Sequence, residues 1–145
     1  MRISTKGRYT LRMMIDLAEH QNDGFIALKD IARRQNISKK YLEQIVPMLH
    51  RSNFLRTNRG YQGGYRLARA PREYTVREIL ELTEGGLAPV SCLEGDAARC
   101  ERSEFCATLP MWRGLQQVIE TYLQSITLQD LLEQQQERYA NNYVI

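Results

Sequence analysis

The chain has 145 residues, which favours one compact domain or two small lobes that share a core. Hydrophobic residues make up 43% and charged residues 26%, a balance that excludes wholesale disorder. No apolar run approaches the ~18 residues of a membrane span, and no secretory leader follows Met1. We therefore expect a cytoplasmic protein with no membrane partner.

The charge of the chain is divided unevenly on the two sides of Arg72. Residues 1–72 contain 15 Lys or Arg and 5 Asp or Glu, a net charge of +10, whereas residues 73–145 contain 5 and 12, a net charge of −7. A region this basic is suited to a polyanion, because each neutralised phosphate releases condensed counterions. We predict a DNA-binding head over residues 1–72 and a region with another task over residues 73–145.

Helical spacing and capping residues predict a helix-turn-helix in the basic region. Apolar residues recur at helical intervals over 5–21, a short helix follows over 28–35, and Ser38 is a suitable N-cap for a third helix. Because Pro47 lies inside that third helix, we expect a kink or an early end to its regular hydrogen bonding. Strand-like segments around a glycine-rich tip then predict a hairpin over 54–67. The predicted fold is therefore a winged helix-turn-helix, mainly α with a small β-wing.

The same signals predict three helices and a polar loop in the acidic region. Thr75 caps the first helix, a polar loop spans 87–108, and a long helix follows over 109–123. One more short helix begins near Thr127, and we predict no structure for the last residues of the chain.

The long helix has an apolar stripe that so small a region cannot bury alone. We expect it to form a homodimer interface, because a two-fold protein matches a palindromic DNA site. Burial of the stripe within the chain is the alternative. The stripe comprises Trp112, Leu115, Val118, Ile119 and Tyr122.

Polar residues of the third helix and the wing are candidates for DNA contact. In a major groove Gln pairs with adenine, Glu accepts from cytosine, and Lys reaches guanine or phosphate. Arg59 precedes the tip of the wing, where it can enter a minor groove. The base-reading candidates on the helix are Lys39, Lys40, Glu43 and Gln44. The candidates for phosphate contacts, which set position rather than sequence preference, are Lys6, Arg8, Arg12, Arg56 and Arg66.

Three cysteines, Cys92, Cys100 and Cys106, lie in the polar loop among charged neighbours. An odd number without a leader argues against a disulfide framework, and the neighbours argue against inert core cysteines. Three thiolates in one short loop suit a soft metal site, either zinc or an iron–sulfur cluster, and their spacing does not separate the two. His20 and His50 are interpreted as structural. Since the loop has no histidine to serve as a base and no other catalytic pattern occurs, we predict no enzyme.

Three segments together resemble a known family. Residues 1–9, 38–44 and 59–65 are similar to those of the Rrf family of bacterial winged-helix regulators, and the resemblance covers essentially the whole chain. It implies a dimer with a long cross-subunit helix. In the cluster-binding branch, which has IscR-like, NsrR-like and RirA-like members, the loop cysteines ligate an iron–sulfur cluster, here [2Fe-2S] or [4Fe-4S]. The resemblance thus implies three ligands, Cys92, Cys100 and Cys106.

The same resemblance bears on individual DNA contacts and on the fourth ligand. In IscR-like members the residues that match Glu43, Gln44 and Arg59 meet DNA, whereas a serine of those proteins is Lys40 here. The fourth ligand does not carry over, since the histidine of IscR-like members is Leu109 in this chain and the acidic residue of NsrR-like members is Arg8. The acidic candidates for that position are Asp96, Glu101 and Glu104.

We therefore predict a homodimeric DNA-binding transcription regulator whose promoter binding is controlled by an iron–sulfur cluster that senses iron, redox or cluster status. One alternative is a cluster-free regulator that responds to thiol oxidation or to a partner protein, similar to CymR-like members. The other alternative is a zinc-binding interaction module without a DNA target.

Overall fold

The computed structural model describes residues 1–95 and 100–142 of the chain. The predicted mainly α fold with a small β-wing is confirmed, and no helix of the described residues is long and apolar enough to cross a membrane. The helices and strands are α1 (Thr5–Glu19), α2 (Leu28–Gln35), α3 (Lys39–Arg51), β1 (Leu55–Asn58), β2 (Gly64–Leu67), α4 (Val76–Glu84), α5 (Leu109–Gln124) and α6 (Leu128–Asn142).

Helix α1 forms the centre of the hydrophobic core and packs against α2, α4 and α6. Its side chains Met13 and Leu17 belong to the same buried cluster as Ile79 of α4 and Leu128 of α6. The basic head and the acidic region thus share one core, because the apolar stripes of α4 and α6 are buried against the first helix of the head.

A short turn joins α2 to α3. Asn36 ends α2 in the left-handed conformation, with φ 52°, a role that its short polar side chain tolerates. Ile37 is buried, and the Ser38 hydroxyl accepts a hydrogen bond of 3.1 Å from the backbone N–H of Tyr41. This cap satisfies one of the free donors of the first turn and fixes where α3 begins.

The wing is an antiparallel pair of strands in which Leu55 lies opposite Leu67. At its base the fully buried Tyr74 hydroxyl donates to the carbonyl of Phe54 at 2.7 Å and accepts from the backbone N–H of Arg69 at 3.0 Å. Phe54 directly precedes β1 and Arg69 lies two residues beyond β2. One hydroxyl therefore links the segment that enters the hairpin to the segment that leaves it.

Helix α3 does not end early at Pro47. It continues for four more residues to Arg51, so of the two expected outcomes, a kink or an early end, the early end does not occur. The ring of Pro47 is exposed, whereas Val46, Met48 and Leu49 around it are buried in the core. Packing of this apolar face outweighs the one backbone hydrogen bond that proline removes.

Helix α6 is longer than the short helix that the sequence predicts. It runs over 15 residues, and only residues 143–145 of the tail lie outside the described residues. Leu128 and Leu132 anchor its first turns in the core, and the Gln135 amide donates to the Glu19 carboxylate of α1 at 3.2 Å. These contacts reach as far as Gln135, and the remaining residues of the helix are exposed.

Candidate DNA-binding interface and cysteine loop

A groove of about 610 Å³ separates α3 from the wing. Its helix side is lined by Lys39 and Glu43, and its wing side by Arg59 and Gly60. Three of the side chains predicted to meet DNA therefore face one concave surface. The groove is also lined by Val46, Pro47, His50, Thr57, Asn58 and Tyr65.

The first turns of α3 present an ion pair to this groove. Lys39 Nζ lies 3.7 Å from Glu43 Oε1, and the two side chains are 58% and 56% exposed. An exposed pair of this kind contributes at most about 1 kcal/mol, so both partners are available to a ligand. Lys40 and Gln44 are exposed on the same helix.

Glycines fix the tip of the wing and with it Arg59. Gly60 has φ 109°, a conformation that side-chain-bearing residues rarely adopt. A Cβ at Gly63 would lie 2.5 Å from the carbonyl oxygen of Asn58. The turn therefore closes only with glycine at these positions, and it holds the exposed Arg59 at the outer end of the groove.

Arg56 and Arg66 are not among the residues that line the groove. They are directly opposite each other on β1 and β2, whereas the alternate residues Thr57 and Tyr65 line the groove. The Arg66 guanidinium stacks over the ring of Phe25, with 4.8 Å to its centroid. Like charges directly opposite each other are destabilising on their own, which suits a site for a bound anion.

The three basic candidates of α1 lie outside the described lining of the groove. Arg8 donates to the Thr5 hydroxyl at 3.0 Å, and Lys6 is half-buried. Arg12 stacks over Tyr9, with 5.3 Å to the ring centroid, and its guanidinium also donates to Gln35 at the end of α2.

The cysteines are not gathered into a coordinating group within the described part of the chain. Cys92 and Cys100 are exposed and Cys106 is half-buried, and the thiols of all three are free. The described residues hold no arrangement of three His, Cys, Asp or Glu side chains that fits a metal ion. Of the acidic candidates, Glu101 and Glu104 are exposed, and Asp96 lies outside the described residues.

Cys106 has an environment that favours its thiolate. It lies just before α5, with Sγ 3.4 Å from the Thr108 hydroxyl. Hydrogen bonds from the Thr108 side chain and backbone lower the pKa of the Cys106 thiol, and the positive charge of Arg102 acts in the same direction. The thiolate is the form of cysteine that binds metals and reacts with oxidants.

Helix α5 leaves much of its apolar surface exposed. Ile119 and Leu123 pack against a small cluster formed by Val76, Leu80 and Leu87. On another face the exposed fractions are 52% for Met111, 39% for Leu115, 66% for Val118 and 64% for Tyr122. The alternative to a dimer interface was that the stripe is buried within the chain. This holds only for the side of the stripe with Trp112 and Ile119, which are half-buried.

The chain matches the Rrf2 family, described as an iron-dependent transcriptional regulator, over residues 3–134. The chain belongs to the Rrf2 family. It is 38% identical to the solved structure of T. potens IscR, with a TM-score of 0.76 and coverage of 95% of this chain and 90% of that one. For the structure of CymR, the global cysteine regulator of B. subtilis, the identity is 37%, the TM-score 0.75 and the coverage 92% and 97%. It is also 34% identical to the transcriptional regulator IscR of Xenorhabdus nematophila, over 94% of this chain and 82% of that protein.

Membership of the Rrf2 family makes this chain a DNA-binding transcriptional regulator and not an enzyme. The zinc-binding module without a DNA target is therefore excluded as the function of the whole chain.

Sequence reasoning missed part of the groove of this Rrf2-family protein. His50 was interpreted as structural, yet it is exposed and lines the groove. The signal was its spacing, because His50 follows Glu43 by seven residues and so lies on the same helix face. For Thr57 and Tyr65 the signal was strand alternation, which places them on the face opposite to Arg56 and Arg66.

Proposed function

We propose that this regulator reads duplex DNA with α3 in the major groove and the wing in the adjacent minor groove. The observation that carries the proposal is the groove that Lys39, Glu43 and Arg59 line together. Arginine at a wing tip is suited to the negative potential of a narrow minor groove. Lys40 and Gln44 complete the base-reading set on α3 in this proposal.

We assign phosphate contacts to the remaining basic candidates, which flank the groove rather than line it. Arg56 and Arg66 on the outer face of the wing, and residues of α1, would hold the head on the DNA backbone. Such contacts bring affinity and salt dependence without sequence preference. The three α1 candidates are Lys6, Arg8 and Arg12.

The exposed stripe of α5 supports a homodimer. Met111, Leu115, Val118 and Tyr122 follow one another at intervals of four, three and four residues, the spacing of a helix–helix seam. We propose that a second copy of the chain covers this seam and that the two heads, residues 1–72 of each copy, read a palindromic site. In this arrangement residues 73–145 carry dimerisation and sensing.

Replacement of Arg59 tests the reading of DNA. Arg59→Ala should weaken binding to a duplex selected from a random library by about 10-fold to 100-fold, which corresponds to ~1–3 kcal/mol for a groove contact. Arg138→Ala, on the exposed face of α6, removes the same charge and should have little effect. If both variants bind equally well in fluorescence anisotropy, Arg59 does not read the groove.

We further propose that Cys92, Cys100 and Cys106 hold an iron–sulfur cluster that controls DNA binding. Support comes from the chemistry of the donors, since three free thiols lie in one loop and Thr108 favours the thiolate of Cys106. The description of the family as iron-dependent also supports a cluster. When bound, a cluster would cross-link the loop, which follows α4 and leads directly into the dimer helix α5.

Purification without oxygen tests the cluster. We expect a brown protein with broad absorption near ~400 nm, as thiolate-bound iron gives, together with iron and sulfide in a simple ratio to the chain. Cys106→Ala should lose both iron and sulfide, while Arg59→Ala should keep them. Colourless wild-type protein that takes up neither iron nor sulfide would overturn cluster control and leave DNA reading intact.

A cluster-free regulator that responds through its thiols is the second candidate. It is favoured by the exposure of Cys92 and Cys100 and by the thiolate-promoting environment of Cys106. It predicts iron-free protein whose DNA affinity changes on mild oxidation and recovers with a thiol reductant. Similarity to CymR of B. subtilis, at 37% identity, is compatible with this candidate.

A further inference from the structure

A fully buried carboxylate lies between α1 and α2. Asp16, in the fourth turn of α1, has no exposed surface, although its neighbours on that face are apolar core residues. Its carboxylate accepts two hydrogen bonds from one guanidinium, at 3.0 Å from Arg34 Nε and 2.7 Å from Arg34 Nη2. It accepts a third, at 3.0 Å, from the side-chain amide of Gln35.

The same end of α2 is held from a second side. Arg12 lies one turn before Asp16 on α1, and its Nε is 3.4 Å from the side-chain oxygen of Gln35. The Arg12 guanidinium also donates to the backbone carbonyl of Gln35, at the negative end of the helix dipole. Gln35 is thus fixed by its amide nitrogen, its amide oxygen and its backbone.

These contacts lie immediately before the turn that sets the direction of α3. Arg34 and Gln35 are the last two residues of α2, and α3 begins at Lys39. A two-pronged guanidinium–carboxylate contact fixes orientation more strictly than an apolar contact of the same size. Only the Asp16 side of this ion pair is buried, since the side chain of Arg34 is 29% exposed. Taking the carboxylate out of water has a cost that offsets much of what the pair contributes to stability, so stability alone does not explain the charge here.

We propose that Asp16, acting through Arg34 and Gln35, fixes the end of α2 against α1, and with it the point from which the turn leads into α3, and is thereby a positioning residue for base reading. The proposal rests on the DNA-reading groove proposed above, and it is independent of what the cysteine loop binds. A small rotation of α3 would move Lys39 and Glu43 relative to base edges, whereas contacts with phosphates tolerate such a shift.

Two substitutions test the contact from its two sides. Asp16→Asn removes the carboxylate charge, and Arg34→Lys keeps the charge but loses the planar fork. The measured quantity is the ratio of two affinities of the full chain, one for a duplex selected by the wild type from a random library and one for a scrambled duplex of equal composition. Each substitution should lower this ratio by about ten-fold, the size of one lost base contact, while affinity for the scrambled duplex stays within about two-fold.

The chain offers a matched control one residue away. Asp30 and Arg33 form an exposed ion pair on α2, with 3.7 Å between Oδ1 and Nη2, so Asp30→Asn and Arg33→Lys change charge and side chain in the same way. These controls should leave the ratio unchanged. The double variant D16N/R34K should lose no more than D16N alone, since both changes break one contact.

The ratio separates positioning from stability. All variants are measured at least 15 °C below their own midpoint of thermal unfolding, and R34K is the informative variant if D16N does not fold. Lower melting temperatures with an unchanged ratio would make the network structural only and overturn the proposal. Equal losses in the D30N and R33K controls would overturn it as well. If the wild type selected no sequence, base reading itself would fail, and with it the positioning role.

Discussion

At the scale of single residues, the Tyr74 hydroxyl joins the two ends of the wing. It donates to the carbonyl of Phe54, which also accepts from the backbone N–H of Ala68 at 3.1 Å, and it accepts from the N–H of the half-buried Arg69. Removing the hydroxyl breaks two hydrogen bonds and leaves the N–H of Arg69 without this acceptor, whereas the carbonyl of Phe54 keeps the N–H of Ala68.

Tyr74→Phe should therefore lower the free energy of unfolding by about 1–2 kcal/mol, measured by urea denaturation. The ring can stay in place, and its edge-to-face contact with Phe54, at 5.5 Å between centroids, is retained. Tyr139→Phe, at a position that is 55% exposed, should change the free energy by less than about 0.5 kcal/mol. A loss of that small size for Tyr74→Phe would mean that the ends of the wing are held in another way.

Residue-scale features were predictable where the cause is local. Ser38 is a cap in sequence and in structure, since capping depends on residues three positions apart. The side chains that hydrogen-bond the Asp16 carboxylate, Arg34 and Gln35, lie 18 and 19 residues away, and the partners of the Tyr74 hydroxyl include Phe54, 20 residues away. Such contacts depend on packing between helices, which a single sequence does not reveal.

At the scale of elements, α3 combines a proline with an uninterrupted helix. Pro47 has no N–H, so the carbonyl of Glu43, one turn earlier, lacks its helical donor. Both residues line the groove that we assign to DNA. The helix persists because its other face is buried, so the proline reduces the stability of α3 at the surface that we assign to DNA.

Pro47→Ala should raise the free energy of unfolding by about 1–2 kcal/mol. The restored hydrogen bond and the relief of the ring exceed the entropy that proline removes from the unfolded chain. Pro110→Ala is the matched control, because Pro110 occupies the first turn of α5, where no helical donor is needed. Urea denaturation of both variants checks this, and equal changes for the two would contradict the argument.

Element boundaries were predictable when capping and apolar spacing agreed. The sequence predicts α2 over 28–35, and the structure has Leu28–Gln35, with the break at Asn36. Helix α6 was predicted too short because its glutamine-rich second half has no apolar face to detect. Its first half packs in the core through Leu128 and Leu132 and contacts α1 through Gln135, whereas the residues from 136 to 142 are exposed.

At the scale of the whole molecule, charge divides the chain into two regions, whereas packing joins these regions in one core. The basic head and the acidic region have opposite net charges, yet α4 and α6 pack on α1 within one core. Arg77 of α4 connects this core to the long helix, with 3.3 Å between its Nη2 and Glu120 Oε2 of α5. A structural change in the cysteine loop or in the α5 seam can therefore reach α4, which packs against α1 of the head, through this single ion pair.

The seam itself provides the last prediction. Val118→Lys places a charge in the middle of the exposed apolar face, where a second copy would have to bury it. We expect a dimeric wild type and a monomeric variant in analytical ultracentrifugation. Binding to a full palindromic site should fall by about 100-fold, because the first head no longer holds the second at a high effective concentration near its half-site. Binding to a single half-site should not change.

Gln124→Lys is the control, since Gln124 is exposed on the side of α5 away from the seam and gains the same charge. It should remain dimeric and bind as the wild type does. If V118K stayed dimeric, the seam would not be the interface. If it became monomeric without losing affinity for the full site, the two heads would bind independently. The proposal that a dimer reads a palindromic site would then be wrong.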